Sequence, residues 1–177
     1  MAQRVRTHRD FAGHRTTVLF DEAGRPVDLS VDDGTRLGFE YLPMAQGRRA
    51  LIDGRGRTEL VYDGAGRLSA ALEPDGRAVR YSYDAQGLLA AVQTPGGTTR
   101  YSYDAVGRLT TLTDAAGQSY RYSFDSAGRL AGIAFPSGAA ESYSYNAAGR
   151  LAGVEVKQQN QRLLGESYSY DAAGRLV

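Results

Sequence analysis

Tyr101-Ser102-Tyr103-Asp104-Ala105-Val106-Gly107-Arg108-Leu109 is the stretch on which the reading of the whole chain turns. Tyr101 and Tyr103 flank Ser102, and this period of two puts both rings on one face of a β-strand and the hydroxyl on the other. Asp104 to Gly107 read as a turn, because an aspartate side chain accepts hydrogen bonds from backbone N–H groups ahead of it and glycine supplies the positive φ that closes the loop. Leu109 then opens a returning strand. The stretch is one end of a β-hairpin.

It is not unique. Tyr62-Asp63-Gly64-Ala65-Gly66-Arg67-Leu68 and Tyr83-Asp84-Ala85-Gln86-Gly87-Leu88-Leu89 precede it. Phe124-Asp125-Ser126-Ala127-Gly128-Arg129-Leu130, Tyr145-Asn146-Ala147-Ala148-Gly149-Arg150-Leu151 and Tyr170-Asp171-Ala172-Ala173-Gly174-Arg175-Leu176 follow it. Successive starts lie 21, 20, 21, 21 and 25 residues apart. The same interval before Tyr62 stands Tyr41, with a poor turn whose glycine, Gly47, comes late; one interval earlier Phe20-Asp21-Glu22-Ala23-Gly24-Arg25 is a good copy. Periodicity on this scale marks a repeat architecture.

A second glycine follows the first within most units, as in Gly24 and Gly34, Gly66 and Gly76, Gly107 and Gly117, Gly128 and Gly138. Each unit therefore holds two turns joined by legs of ordinary strand length. Large apolar residues stand two places before each turn aromatic, among them Val18, Phe39, Leu60, Tyr81, Tyr101, Tyr122, Tyr143 and Tyr168. After the turn, Leu109 and Leu112, or Leu130 and Ile133, are three apart, a spacing that a flat strand cannot place on one face and that predicts a β-bulge. No helical period of useful length is present. The expected fold is all-β, with tandem antiparallel hairpins forming a continuous curled sheet in one domain, 1–177: a partial repeat over 1–19, seven repeats over 20–169 and a truncated repeat over 170–177. The four extra residues around Lys157-Gln158-Gln159-Asn160-Gln161 read as a longer hairpin loop, and the half-units at either end predict open strand edges that invite self-association.

Composition narrows the function classes. A formal net charge of +1 gives no global attraction to nucleic acid or to an acidic membrane surface, and no apolar run approaches a membrane span. The absence of cysteine removes disulfides and thiolate chemistry. The N-terminal stretch is basic and lacks the apolar run of a secretory signal.

The Tyr-Asp-x-x-Gly-Arg-Leu motif at this spacing resembles the YD repeats of the Rhs (rearrangement hot spot) family, which occur also in toxin-complex B–C components, bacterial polymorphic toxins and teneurins. The likeness covers residues 13–177. It implies hairpins joined edge to edge into a shell that holds a toxin or other polypeptide, and a secreted or effector-associated setting. Family shells generally run several times longer than this chain, so the resemblance implies a shell segment, with other YD repeats or an enclosed polypeptide as partners.

Chemistry-bearing residues are few. The turn acids Asp21, Asp63, Asp84, Asp104, Asp125 and Asp171 could be taken for acids or metal ligands, but Asn146 holds the equivalent place and would abolish either role while preserving a turn. His8 and His14, without a carboxylate or thiolate partner at ligand spacing, make a poor metal site. Gly54-Arg55-Gly56 is too short for a phosphate loop. The remaining candidates form a ladder for a glycan or protein partner: Tyr81, Tyr83, Tyr101, Tyr103, Tyr122, Tyr143 and Tyr145 with Arg108, Arg129 and Arg150. The expectation is a non-enzymatic structural module without cofactor or metal, scaffolding a polypeptide as a segment of an Rhs-like shell. The alternative is carbohydrate binding at a cell surface through the Tyr/Arg ladder.

Overall fold

The computed structural model describes residues 4–41, 48–159 and 161–177. Every regular element among them is a β-strand, and the strands follow one another antiparallel in a single sheet in chain order. The chain divides into two compact units, residues 1–82 with 92–95, and residues 83–91 with 96–177.

In the first unit the strands are β1 (Arg4–Arg9), β2 (Arg15–Phe20), β3 (Pro26–Val31), β4 (Arg36–Tyr41), β5 (Arg48–Asp53), β6 (Gly56–Tyr62), β7 (Leu68–Leu72) and β8 (Ala78–Tyr83, whose last residue belongs to the second). Strand β9 (Leu89–Thr94) contributes residues to both units. The second unit continues with β10 (Gly97–Tyr103), β11 (Leu109–Thr113), β12 (Ser119–Phe124), β13 (Leu130–Ala134), β14 (Ala139–Tyr145), β15 (Leu151–Gln158) and β16 (Gln161–Ser167).

Strand alternation sorts the side chains as the sequence requires. In β10, β12 and β14 the aromatic positions are half-buried, whereas Ser102, Ser123 and Ser144 between them are exposed. Cross-strand partners build apolar rows on the aromatic face: Tyr101 faces Leu112, which faces Tyr120, and Tyr122 faces Ile133. The first unit has the row Val18, Leu29 and Leu37 and the row Phe39, Leu51 and Thr58.

The expected bulge recurs. Tyr103 pairs with Leu109 and Ser102 with Thr111, leaving Thr110 as the extra residue. Phe124 with Leu130, Tyr145 with Leu151, Tyr62 with Leu68 and Phe20 with Pro26 shift in the same way. The inserted residue restores Leu109 and Leu112 to one face, which is why the apolar spacing is three.

Among the described residues only Ala50 at 3% and Thr58 at 7% exposure are buried, and no large side chain is fully enclosed. Neither unit has a hydrophobic core between two layers among those residues. Stability must come from cross-strand pairs, ~0.2–1 kcal/mol each, and from contacts linking one repeat to the next.

One expectation meets a different outcome. The polar stretch at Lys157 to Gln161 does not form a long loop: Lys157 and Gln158 extend β15, which pairs Gln158 with Gln161 of β16. Cross-strand hydrogen bonding absorbs the extra residues as strand, and Gln159 takes φ 48° at the reversal. The Gly54-Arg55 segment is a tight reversal in which Asp53 pairs directly with Gly56. The degenerate loop containing Gly47 lies outside the described residues.

Turn glycines carry the strict backbone demand. Gly66 sits at φ +78°, and beyond its chain neighbours no atom lies within 4 Å of the point where a Cβ would stand, so a side chain there meets only backbone strain. Gly66→Ala is expected to cost about 1–2 kcal/mol, and Gly66→Asn less than half of that because asparagine tolerates the left-handed region. Urea denaturation of the three proteins measures the difference.

Candidate functional site

The repeated motif is a set of contacts that starts at the turn aspartate. In the turn after β10, the Asp104 N–H donates to the Arg108 carbonyl at 2.9 Å and the Gly107 N–H donates to the Asp104 carbonyl at 3.0 Å. One carboxylate oxygen of Asp104 accepts from the Val106 and Arg108 N–H groups, at 3.0 and 2.9 Å. The other oxygen takes the Arg108 Nε–H at 2.7 Å. Asp125 holds the Ala127 and Arg129 N–H groups and the Arg129 guanidinium in the same way. Asp21, Asp63 and Asp171 likewise bind the arginines of their own turns, Arg25, Arg67 and Arg175.

Asn146 tests the division of labour within one chain. Its Oδ1 accepts from the Ala148 and Arg150 N–H groups, both at 3.0 Å, so the turn is kept. Arg150, with no turn carboxylate, enters no ion pair among the described residues. The amide oxygen thus reproduces the turn function and loses only the charge.

From the aspartate the chain of contacts passes to the next repeat. The guanidinium of Arg108 lies over the Phe124 ring at 4.7 Å, Arg129 over Tyr145 at 4.4 Å and Arg150 over Tyr170 at 5.5 Å. In the first unit Arg25 lies over Tyr41 at 4.4 Å. A cation over a ring is worth ~0.5–1 kcal/mol at an exposed site. The ring then reaches back. The Tyr145 hydroxyl donates to the Leu130 carbonyl at 2.9 Å and Tyr170 donates to Leu151 at 2.8 Å, the acceptor in each case following the stacked arginine in sequence. Tyr103 donates to the Leu89 carbonyl at 2.9 Å.

These contacts shift titration. The Arg108 N–H donating into Asp104 holds its carboxyl below the usual carboxylate range, helped by the guanidinium and opposed by burial. Asp125 and Asp63 are lowered by the matching arginine N–H groups. On the aromatic face, Tyr143 donates to the Glu141 carboxylate at 2.5 Å, and this bond with burial pushes its phenol up to about 12.

The expected ladder divides accordingly. Tyr81, Tyr83, Tyr101, Tyr103, Tyr122, Tyr143 and Tyr145 are all half-buried. Arg108 and Arg129 are engaged twice, by a carboxylate and by a ring, and the Tyr103 and Tyr145 hydroxyls are engaged by backbone carbonyls. Sequence reasoning did not single out Arg100 and Arg121, which stand exposed on the serine face opposite Thr113 and Thr111 and form no ion pair or ring contact among the described residues. Their signal in the sequence is an arginine three places before the turn aromatic. His14 pairs with Asp10 at 3.2 Å in its own turn. No group of three His, Cys, Asp or Glu residues capable of holding a metal occurs among the described residues.

The family model described as Teneurin YD-shell matches residues 9–152. Among solved structures, the chain is similar to TcdB2-TccC3 crystallised without the hypervariable C-terminal region, with TM-score 0.73 and 18% identity over 92% of this chain and 10% of that one. The TcdB2-TccC3-Cdc42 structure gives TM-score 0.71 and 17% identity over 92% of this chain and 10% of that one. The Photorhabdus luminescens Tc holotoxin pore carrying a mutated TccC3 gives TM-score 0.61 and 18% identity over 96% and 11%. The chain thus spans about a tenth of the length of each of these solved chains. No curated protein matches.

Two experiments separate the contacts. Tyr145→Phe keeps the ring under Arg129 and removes the hydroxyl from the Leu130 carbonyl, as Phe124 does natively; it is expected to cost about 1 kcal/mol in chemical denaturation. Because the folded carboxyls of Asp63, Asp104 and Asp125 sit below their unfolded value of roughly 3.9, their contribution is fully present above that value and is lost as pH falls through the lower folded pKa. Stability followed from pH 7 downward should therefore decline in the acid range, and the triple Asp→Asn variant should show a shallower decline while remaining folded at neutral pH.

Proposed function

The chain belongs to the teneurin YD-shell family, and on that premise we propose that it is a segment of a shell wall that scaffolds or encloses another polypeptide. Its family is a structural one, and the motif residues are consumed by wall construction: aspartate shapes the turn, arginine crosses to the next repeat and tyrosine returns a hydrogen bond. The observation that carries the reading is the single layer. Each unit presents an apolar aromatic face with no large side chain fully enclosed among the described residues, a wall surface with capacity for a covering partner.

Carbohydrate binding is the second reading, favoured by the half-exposed rings of Tyr101, Tyr122 and Tyr143 on that face. Aromatic rings could stack on sugars without using the hydroxyl and guanidinium groups already engaged. Glycan binding that vanishes on Tyr101→Leu and Tyr122→Leu, with the melting temperature held, would place this reading first.

The absence of native cysteine permits a direct test of the shell reading. Single cysteines introduced at Leu112 on the aromatic face and at Ser123 on the serine face, in the protein as its gene encodes it, report access by maleimide labelling rate. A wall covering a polypeptide should protect one face at least tenfold relative to the same variant in unfolding denaturant, and leave the other reactive. Equal, unprotected labelling of both faces would overturn the proposal.

A further inference from the structure

One repeat lacks the residue that the motif is built around. At the turn between β8 and β9, Leu88 occupies the place taken by arginine in the turns at Asp21, Asp63, Asp104, Asp125 and Asp171. The turn itself is intact: Asp84 N–H donates to the Leu88 carbonyl at 2.8 Å, and one Asp84 oxygen accepts from the Gln86 and Leu88 N–H groups at 2.9 and 2.8 Å. Its second oxygen, which takes the arginine Nε–H in the other turns, has no side-chain donor among the described residues. Arg108, Arg129 and Arg150 each cover the aromatic ring of the following repeat, whereas Tyr103, the ring that follows Leu88, has no cation over it among those residues.

The rest of the receptor is in place. Tyr103 holds the pose of its counterparts, because its hydroxyl donates to the Leu89 carbonyl as Tyr145 does to Leu130. Leu88 follows the arginine's track only part of the way. Its Cδ1 comes within 3.6 Å of the Cβ position at Gly107, where Arg108 and Arg129 approach Gly128 and Gly149 with their terminal nitrogens at 3.4 and 3.5 Å. Between Asp84, Leu88, Tyr103 and Val106 lies a surface cavity of about 450 Å³. Burial raises the Tyr103 phenol first, and Tyr101 and then the Asp84 carboxylate add to the rise.

We propose that Asp84 and Tyr103 form a preorganised guanidinium socket that takes an arginine side chain from a partner polypeptide. The chemistry is that of the other repeats with the arginine supplied by another chain: a charge-assisted Nε–H bond to the free carboxylate oxygen, the planar cation on the ring, and the methylene stem against Leu88 and Val106. A guanidinium fits better than an ammonium, since the edge meets the carboxylate while the flat face meets the ring. The inference rests on the scaffold reading for the class of partner, but the socket itself can be tested without one.

The probe is N-acetyl-arginine methylamide, with its citrulline and lysine counterparts, titrated into the full chain and followed by ¹H–¹⁵N correlation spectra. Arginine should move the Leu88, Tyr103, Val106 and Gly107 amides saturably in the millimolar range, lysine more weakly and citrulline not at all. Asp84→Asn should weaken the response at least tenfold while keeping the turn, as Asn146 does natively. Leu88→Arg should abolish it and raise the melting temperature, by filling the socket from within. Shifts spread equally over the turns at Asp104 and Asp125, an equal response to citrulline, or an undiminished response in Leu88→Arg would overturn the socket. Those results leave the labelling test of the wall untouched, so the two proposals fail separately.

Discussion

The turn carboxylate is the contact on which the rest of the architecture depends. Backbone N–H groups in a five-residue reversal point inward and would otherwise need water. Asp104 satisfies two of them with one oxygen and uses the other to hold the Arg108 guanidinium. A flexible side chain is thereby fixed in the direction of the next repeat, where it meets Phe124. The carboxylate is not what sends the arginine along that path, but it holds the guanidinium in place at the start of it. Arg150 shows the weaker case: beside Asn146 it still reaches Tyr170, but at 5.5 Å rather than the 4.4 Å of Arg129 over Tyr145.

This arrangement compensates for the small amount of full burial among the described residues. Among the described residues the sheet has neither a second layer nor an enclosing helix, and so lacks the large apolar burial that stabilises ordinary domains. It has instead a series of short-range couplings, strand to strand through the ladder and repeat to repeat through Asp, Arg, ring and carbonyl. Stability in such a chain approximates a sum of local units and nearest-neighbour terms, with no single centre whose loss unfolds the whole. It follows that motif residues can be conspicuous in sequence because of what they do for the fold.

The same economy explains where function is to be sought. Arg108 and Arg129 are each already held by a carboxylate and a ring. Departures from the motif are more informative than the motif. Among the described residues, Leu88 leaves a carboxylate and a ring without their usual guanidinium, and Arg100 and Arg121 place cations on the serine face with no ion-pair partner.

The sequence alone determined the hairpin array, its phase, the two turns per unit and the bulge after the first turn, because each follows from local chemistry: alternation of two, glycine at positive φ, and an apolar spacing of three. It also identified the aspartates as turn residues, since Asn146 could replace one. Only the tertiary structure decided where the long side chains go. An arginine's destination depends on which strand lies alongside and how far its turn projects, and a tyrosine hydroxyl's acceptor lies in another repeat, 15 residues away for Tyr145 and Leu130. The stretch at Lys157 became strand rather than loop for the same reason: pairing with β16 is a contact between segments, and no local preference of lysine or glutamine announces it.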